Sequence, residues 1–272
     1  MSDPRPIGVF DSGLGGLTVV RAISQVLPRE SILYYGDTAR YPYGPRPLAE
    51  IRGFAVEIAA RLVERGAKMV VIACNSATAA ALDDVAGAVP VPVMGVIEPA
   101  VRAAIRATRN RRVGLIGTEA TVRSGAYQRA LTQMAPDGSI EMMTQACPLF
   151  VEFVERGDTS SPELFRVASG YLAMLRVAAV DTVILGCTHY PLLRAAIHHV
   201  MGDDVLLLSS ADETASAVYE TLVTGGQLRQ DAQAPERIFE SSGDPNRFAS
   251  LVTLFLRPEF HETSLAAPIG GE

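Results

Sequence analysis

The 272-residue sequence has no tryptophan, four histidines, three cysteines and one lysine, Lys68; every other basic residue is arginine. Each shortage excludes something. An enzyme that holds pyridoxal phosphate as a Schiff base needs a well-placed lysine, and Lys68 is the only candidate. Three widely spaced cysteines are too few for a disulfide framework or a zinc site. With 24 basic and 30 acidic residues the net charge is −6, which lacks the basic excess of a nucleic-acid-binding surface. No run approaches the ~18 apolar residues of a membrane span, and MSDPRPIGVF at the start has no signal-peptide pattern. Free cysteines without a signal lead to the expectation of a cytoplasmic protein.

The hydrophobic share is 48%, enough for a sizeable core, and the length admits one large domain or two small ones at about 150 residues each. Continuous apolar runs at 6–10, 69–73, 112–116 and 182–186 lack period-2 alternation and read as strands covered on both faces. Weaker strands are expected at 31–35, 92–96, 139–144 and 204–208. Helices are expected over 48–65, 77–88, 98–109, 120–134, 162–178, 190–200 and 211–224. The alternation predicts an α/β fold with largely parallel sheets.

The order of elements repeats. Gly8 in PIGVFDSG corresponds to Gly114 in RVGLIGTEA, and Cys74 in VVIACNSATAA corresponds to Cys187 in VILGCTHYPLL. The period is far too long for a solenoid, so two pseudo-symmetric α/β domains are expected, with an active site in the cleft between them. The first domain takes residues 1–97 plus 210–262, which include a strand near 236–240 and a helix over 246–257. The second takes 98–209, and 263–272 is a flexible tail.

In open parallel sheets, ligands sit beyond the carboxyl ends of strands, where loops enter helices. Asp11-Ser12-Gly13, Cys74-Asn75-Ser76, Thr118-Glu119 and Cys187-Thr188-His189 all occupy that position. A helix N-terminus lowers a thiol pKa from about 8.5, and both Cys74 and Cys187 are expected to benefit. Cys147 in QACPLF lacks the symmetry and is expected to be structural, and His198-His199 reads as a solvated pair. The Gly13–Gly16 stretch, GLGG, fails the dinucleotide fingerprint because Thr18 stands where the third glycine belongs. Its glycines are expected to let the backbone approach a small anion such as a carboxylate. Two thiols at a cleft between matching domains suit proton removal from one face of a carbon and return to the other. The roles of thiolate and thiol then swap for the reverse reaction. Asp11 and His189 are candidates for orienting the cysteines. Ser12, Asn75, Ser76 and Thr188 supply polar contacts for an amino acid.

The motifs VFDSGLGGLTV, YYGDTARYPYG, ACNSATA, GTEATVRSGAY, ACPLFVEFVERG and LGCTHYPLL resemble those of the cofactor-independent aspartate/glutamate racemase family, glutamate racemases above all. The resemblance spans about residues 6–210. It implies two α/β domains, interconversion of L- and D-glutamate without a cofactor or metal, supply of D-glutamate to peptidoglycan, and a homodimer. By position it makes Cys74 and Cys187 the catalytic acid/bases. Asp11, Ser12, Tyr43, Gly44, Asn75, Ser76, Thr188 and His189 become substrate-binding residues, and Thr118 matches a threonine near the site. The acidic residue supporting the second cysteine maps to Glu155; Glu152 stands where the family usually has proline, leaving both in view. Aspartate racemase shares the mechanism and is the rival within the fold. A non-catalytic amino-acid-binding module and a cysteine hydrolase using His189 as base are the rivals outside it.

Overall fold

The computed structural model describes residues 2–244, together with Phe248, Val252, Leu256 and the backbone of 264–265. In chain order the elements are β1 (Ile7–Asp11), α1 (Leu17–Val26), β2 (Ile32–Gly36), α2 (Leu48–Glu64), β3 (Met69–Ile72), α3 (Asn75–Ala88), β4 (Val93–Gly95) and α4 (Ile97–Ala107). The second half runs β5 (Arg112–Gly117), α5 (Glu119–Ser124), α6 (Ala126–Met134), β6 (Glu141–Ala146), α7 (Leu149–Glu155), α8 (Pro162–Val177) and β7 (Thr182–Gly186). A 3-10 turn (Tyr190–Leu193) leads to α9 (Arg194–Met201), β8 (Leu206–Ser209), α10 (Ser210–Thr224), β9 (Arg237–Ser241) and β10 (Ser264–Leu265).

Two sheets form, ordered β10-β9-β2-β1-β3-β4 and β6-β5-β7-β8, and every described strand pair is parallel. The run β2-β1-β3-β4 has its counterpart in β6-β5-β7-β8. Gly8 pairs with Val70 and Gly114 with Val183, so the two glycines hold matching registers. A Cβ at Gly8 would lie 2.9 Å from that of Ala67, which explains the residue by close approach of strand and loop. The halves share apolar core: Val9 and Val71 of the first sheet belong to the same buried cluster as Val183 and Leu185 of the second. At about 1.5–3 kcal/mol per fully buried aliphatic side chain, that shared core resists separation of the halves.

Several local features differ from expectation. The helix expected over 120–134 is broken at Gly125, whose φ of 66° places it in the left-handed region between α5 and α6. Two helices were not foreseen. α1, LTVVRAISQV, carries β-branched residues that read as strand, and α7, LFVEFVE, is too short and apolar to show a clean period. Of the tail expected from Thr263, residues 264–265 pair with β9 as a strand and the rest lies outside the described residues. Most of the helix expected over 246–257 also lies outside them. Among the described residues no helix is long and apolar enough to cross a membrane.

Candidate active site

The carboxyl ends of β1, β3, β5 and β7 open onto one cavity of about 350 Å³. That is the lower end of the range for small-ligand sites and suits a molecule of amino-acid size. Its lining includes Ser12, Tyr43, Gly44, Cys74, Asn75, Ser76, Thr118, Glu155, Cys187, Thr188 and His189. Asp11 is absent from the wall. Its carboxylate is wholly buried, with Oδ2 accepting from the Gly13 N–H at 3.0 Å. Asp11 thus sits beneath Ser12, which does line the cavity.

The GLGG stretch needs its glycines for a different reason from the one expected. A Cβ at Gly15 would lie 2.1 Å from Thr188 Oγ1 and 2.6 Å from His189 Nδ1. At Gly16 it would lie 2.5 Å from Asp11 Cβ, and at Gly13 2.9 Å from the Tyr41 ring. The space each glycine leaves is filled by protein, and at Gly15 it lets the first loop press against the second cysteine loop. Thr18 closes the same seam, its hydroxyl donating to the Thr188 carbonyl at 3.2 Å.

Cys74 follows β3 and caps α3, its sulfur accepting from the Ala77 N–H at 3.5 Å and its thiol donating to Ser12 Oγ at 3.5 Å. The lowered pKa expected there is overturned. Burial, reinforced by the Asp11 carboxylate, pushes the Cys74 thiol up to about 12, and the bonds from Ser12 and Ala77 only partly offset this. Cys187 follows β7 and meets a 3-10 turn before α9, because Pro191 sits in that turn's first positions. Its Sγ lies 3.9 Å from His189 Nδ1. Burial opposes a charge on His189, but the hydrogen bonds to Cys187 and Glu155, with the negative charges of Cys187 and Asp11, raise it to about 10. Glu155 Oε1 is 3.6 Å from His189 Nε2, so Glu155 reaches Cys187 through the imidazole. Glu152 lines the cavity one helical turn earlier, and the ion-pair contact belongs to Glu155.

The remaining wall is built by hydroxyls and a loop. Ser76 Oγ lies 2.9 Å from Thr118 Oγ1, and Thr121 completes the cluster at 3.0 Å from Thr118. Thr118 also caps α5 by accepting from the Thr121 N–H. The Tyr43-Gly44 loop is fixed at both ends. The Tyr43 hydroxyl donates to buried Asp37, which also accepts from Arg40 Nε at 2.7 Å and Ser242 Oγ at 2.8 Å. The Gly44 carbonyl accepts from Ala120 N–H across the cleft at 3.1 Å.

Tyr41 was missed by sequence reasoning. It lines the cavity, its ring centroid 6.4 Å from that of His189, and the hydroxyl bonds Glu155. Burial and that carboxylate raise its pKa, so it stays protonated. The only signal was an aromatic beside a proline in a loop. Lys68 is wholly buried, paired with Glu30 at 2.6 Å and donating to the Asp3 and Gln227 carbonyls. It precedes β3, at the end opposite Cys74, so no lysine reaches the cavity. Cys147 is buried, its thiol directed to the Gln145 carbonyl. The described residues hold no His/Cys/Asp/Glu cluster fit for a metal ion.

The Asp/Glu/hydantoin racemase family model matches residues 7–218. The chain belongs to that family. Glutamate racemase of Corynebacterium diphtheriae is 54% identical over 253 residues, covering 93% of this chain and 94% of the relative. Among solved structures, glutamate racemase of Bacillus anthracis superposes with a TM-score of 0.91 at 37% identity, covering 96% of both chains. The Francisella tularensis glutamate racemase, solved in complex with D-glutamate, gives 0.89 at 36% identity, covering 97% of this racemase-family chain and 98% of its own.

Proposed function

We propose that the protein is a glutamate racemase that interconverts L- and D-glutamate through Cys74 and Cys187, without pyridoxal phosphate. The observation carrying this reading is the pair of cysteines at matched strand ends, one from each sheet, on the wall of one cavity. In one direction the thiolate of one cysteine takes the Cα proton, and the electron pair stays on carbon. The thiol of the other cysteine then donates its proton to the opposite face and is left as thiolate. The reverse reaction exchanges the two roles. Asn75, Ser76, Thr188 and the Tyr43-Gly44 loop hold the carboxylates and the ammonium. His189, supported by Glu155, serves Cys187, and Asp11 holds the loop under Cys74.

The product D-glutamate would supply peptidoglycan. A homodimer belongs to the same reading through the family resemblance, and sedimentation of the full chain checks it. A cytoplasmic site fits three free thiols. The deciding assay compares kcat/KM for the enantiomers of glutamate and aspartate on dialysed protein. Glutamate is expected to be favoured by about a hundredfold or more, since the shorter acid leaves a carboxylate contact unmade. A preference for aspartate overturns the substrate assignment.

A further inference from the structure

Asn75 is 2% exposed, lines the cavity, and has its amide Nδ2 buried without a hydrogen-bond partner in the protein. Its Oδ1 is occupied: the hydroxyl of Tyr127, on α6 of the other half, donates to it at 2.7 Å. We propose that Tyr127 is a positioning residue that fixes the Asn75 amide with its N–H₂ toward the cavity, where it donates to a carboxylate of the substrate. This inference rests on the reading of the site as one that binds glutamate.

The argument is one of hydrogen-bond accounting. An asparagine amide has a donor end and an acceptor end of nearly equal shape, and either could face the cavity. A carboxylate accepts only, so an amide turned the wrong way presents oxygen to oxygen. The buried Tyr127 hydroxyl must place its proton, and the Asn75 oxygen is where it does so. Burial, helped by negative charge at Cys187, raises its pKa and keeps that proton in place at neutral pH. With the oxygen committed, only the nitrogen remains for the ligand. The tyrosine ring is wholly buried and packs near Gly186, where a Cβ would lie 3.5 Å from its Cε2, so the hydroxyl has little freedom to leave. The contact also crosses between halves, as does the Thr18 bond to the Thr188 carbonyl. Each cysteine loop is thus held by a helix of the opposite half.

The test is Tyr127→Phe, which keeps the ring and deletes one hydroxyl. Enantiomers have equal free energy in water, so kcat/KM must change equally in both directions; the separate constants are informative. Expected is a rise in KM for both enantiomers of about three- to tenfold, the size of one hydrogen bond, with kcat held within about twofold. In an Asn75→Ala background, Tyr127→Phe should change KM no further. Unchanged KM in the single variant, or an equal further change in the double variant, overturns the proposal. A lower kcat at unchanged KM, matching a loss of folded protein, also overturns it. Calorimetric titration of glutamate separates this from the wider reading. A wild type that binds glutamate without racemising it contradicts the racemase assignment alone, and the ratio of dissociation constants still judges Tyr127. A wild type that binds neither enantiomer overturns both.

Discussion

Cys74 and Cys187 stand at the same place in two sheets of the same order, yet their surroundings carry opposite charge. Cys74 lies over the buried Asp11 carboxylate, bonded to a serine hydroxyl and one backbone N–H, and its pKa is pushed up to about 12. Cys187 faces His189, which Glu155 and the surrounding negative charge hold protonated up to about pH 10. Strand order and core packing set where each side chain emerges; burial and the Asp11 carboxylate then raise the Cys74 thiol, whereas Cys187 meets the His189 imidazole. Symmetry of backbone therefore provides two opposed acid/bases without making them electrostatically alike. Equal enantiomer energies force equal kcat/KM in both directions at every pH. The asymmetry must then appear in kcat and KM taken separately.

The comparison can be broken most severely at the sulfurs. Cys74→Ala and Cys187→Ala should each lower racemisation by about 10³-fold or more, because neither direction runs without both groups. Polarimetry on each variant checks this, and a variant retaining a tenth of the activity would make the pair unequal in need as well as in charge. His189→Gln removes the cation from one side only. It should cost about ten- to a hundredfold in kcat/KM, the range for a hydrogen bond to a charged group, with different losses of kcat in the two directions.

Gly15→Ala attacks the seam between the loops rather than either thiol. Its Cβ would overlap Thr188 and His189, so about a tenfold loss of kcat/KM and ~1–3 kcal/mol of stability are expected in denaturant titration. A smaller effect lies in the pH dependence of stability. His189 titrates near 6.5 unfolded and is raised to about 10 folded. Its contribution is therefore full below pH 6.5 and lost as pH rises through about 10. The wild-type melting temperature should fall over that window, and His189→Gln should flatten the fall. Smallest of all, Cys147→Ala should leave kcat/KM within about twofold, since Cys147 is not among the residues lining the cavity and its thiol is directed to the Gln145 carbonyl.

The strands that carry the site were legible because each is a continuous apolar run ending in a polar loop. β1, β3, β5 and β7 fall within a residue or so of expectation, and the matching glycines and cysteines disclosed the duplication. Which loop residues would share a cavity was also legible, because strand ends of parallel sheets converge. What escaped depends on contacts between distant parts of the chain. The Gly15 requirement comes from Thr188 and His189, and the Cys74 shift from burial and a carboxylate across the loop. Asp11 reads as a wall residue in sequence because its neighbour Ser12 is one; alternation along the chain turns its carboxylate into the floor. Tyr41 and Tyr127 carry no local signature, since a tyrosine's partner is decided only by folding.

The central claim is that two different groups handle the proton, one on each face of Cα. The direct measurement starts protiated L-glutamate with wild-type enzyme in deuterium oxide and follows Cα isotope content of both enantiomers at early conversion. The account predicts that D-glutamate carries solvent deuterium from the first turnovers while the remaining L-glutamate keeps its protium. D-glutamate that retains the original proton would mean a single group removes and returns it, and would contradict the account.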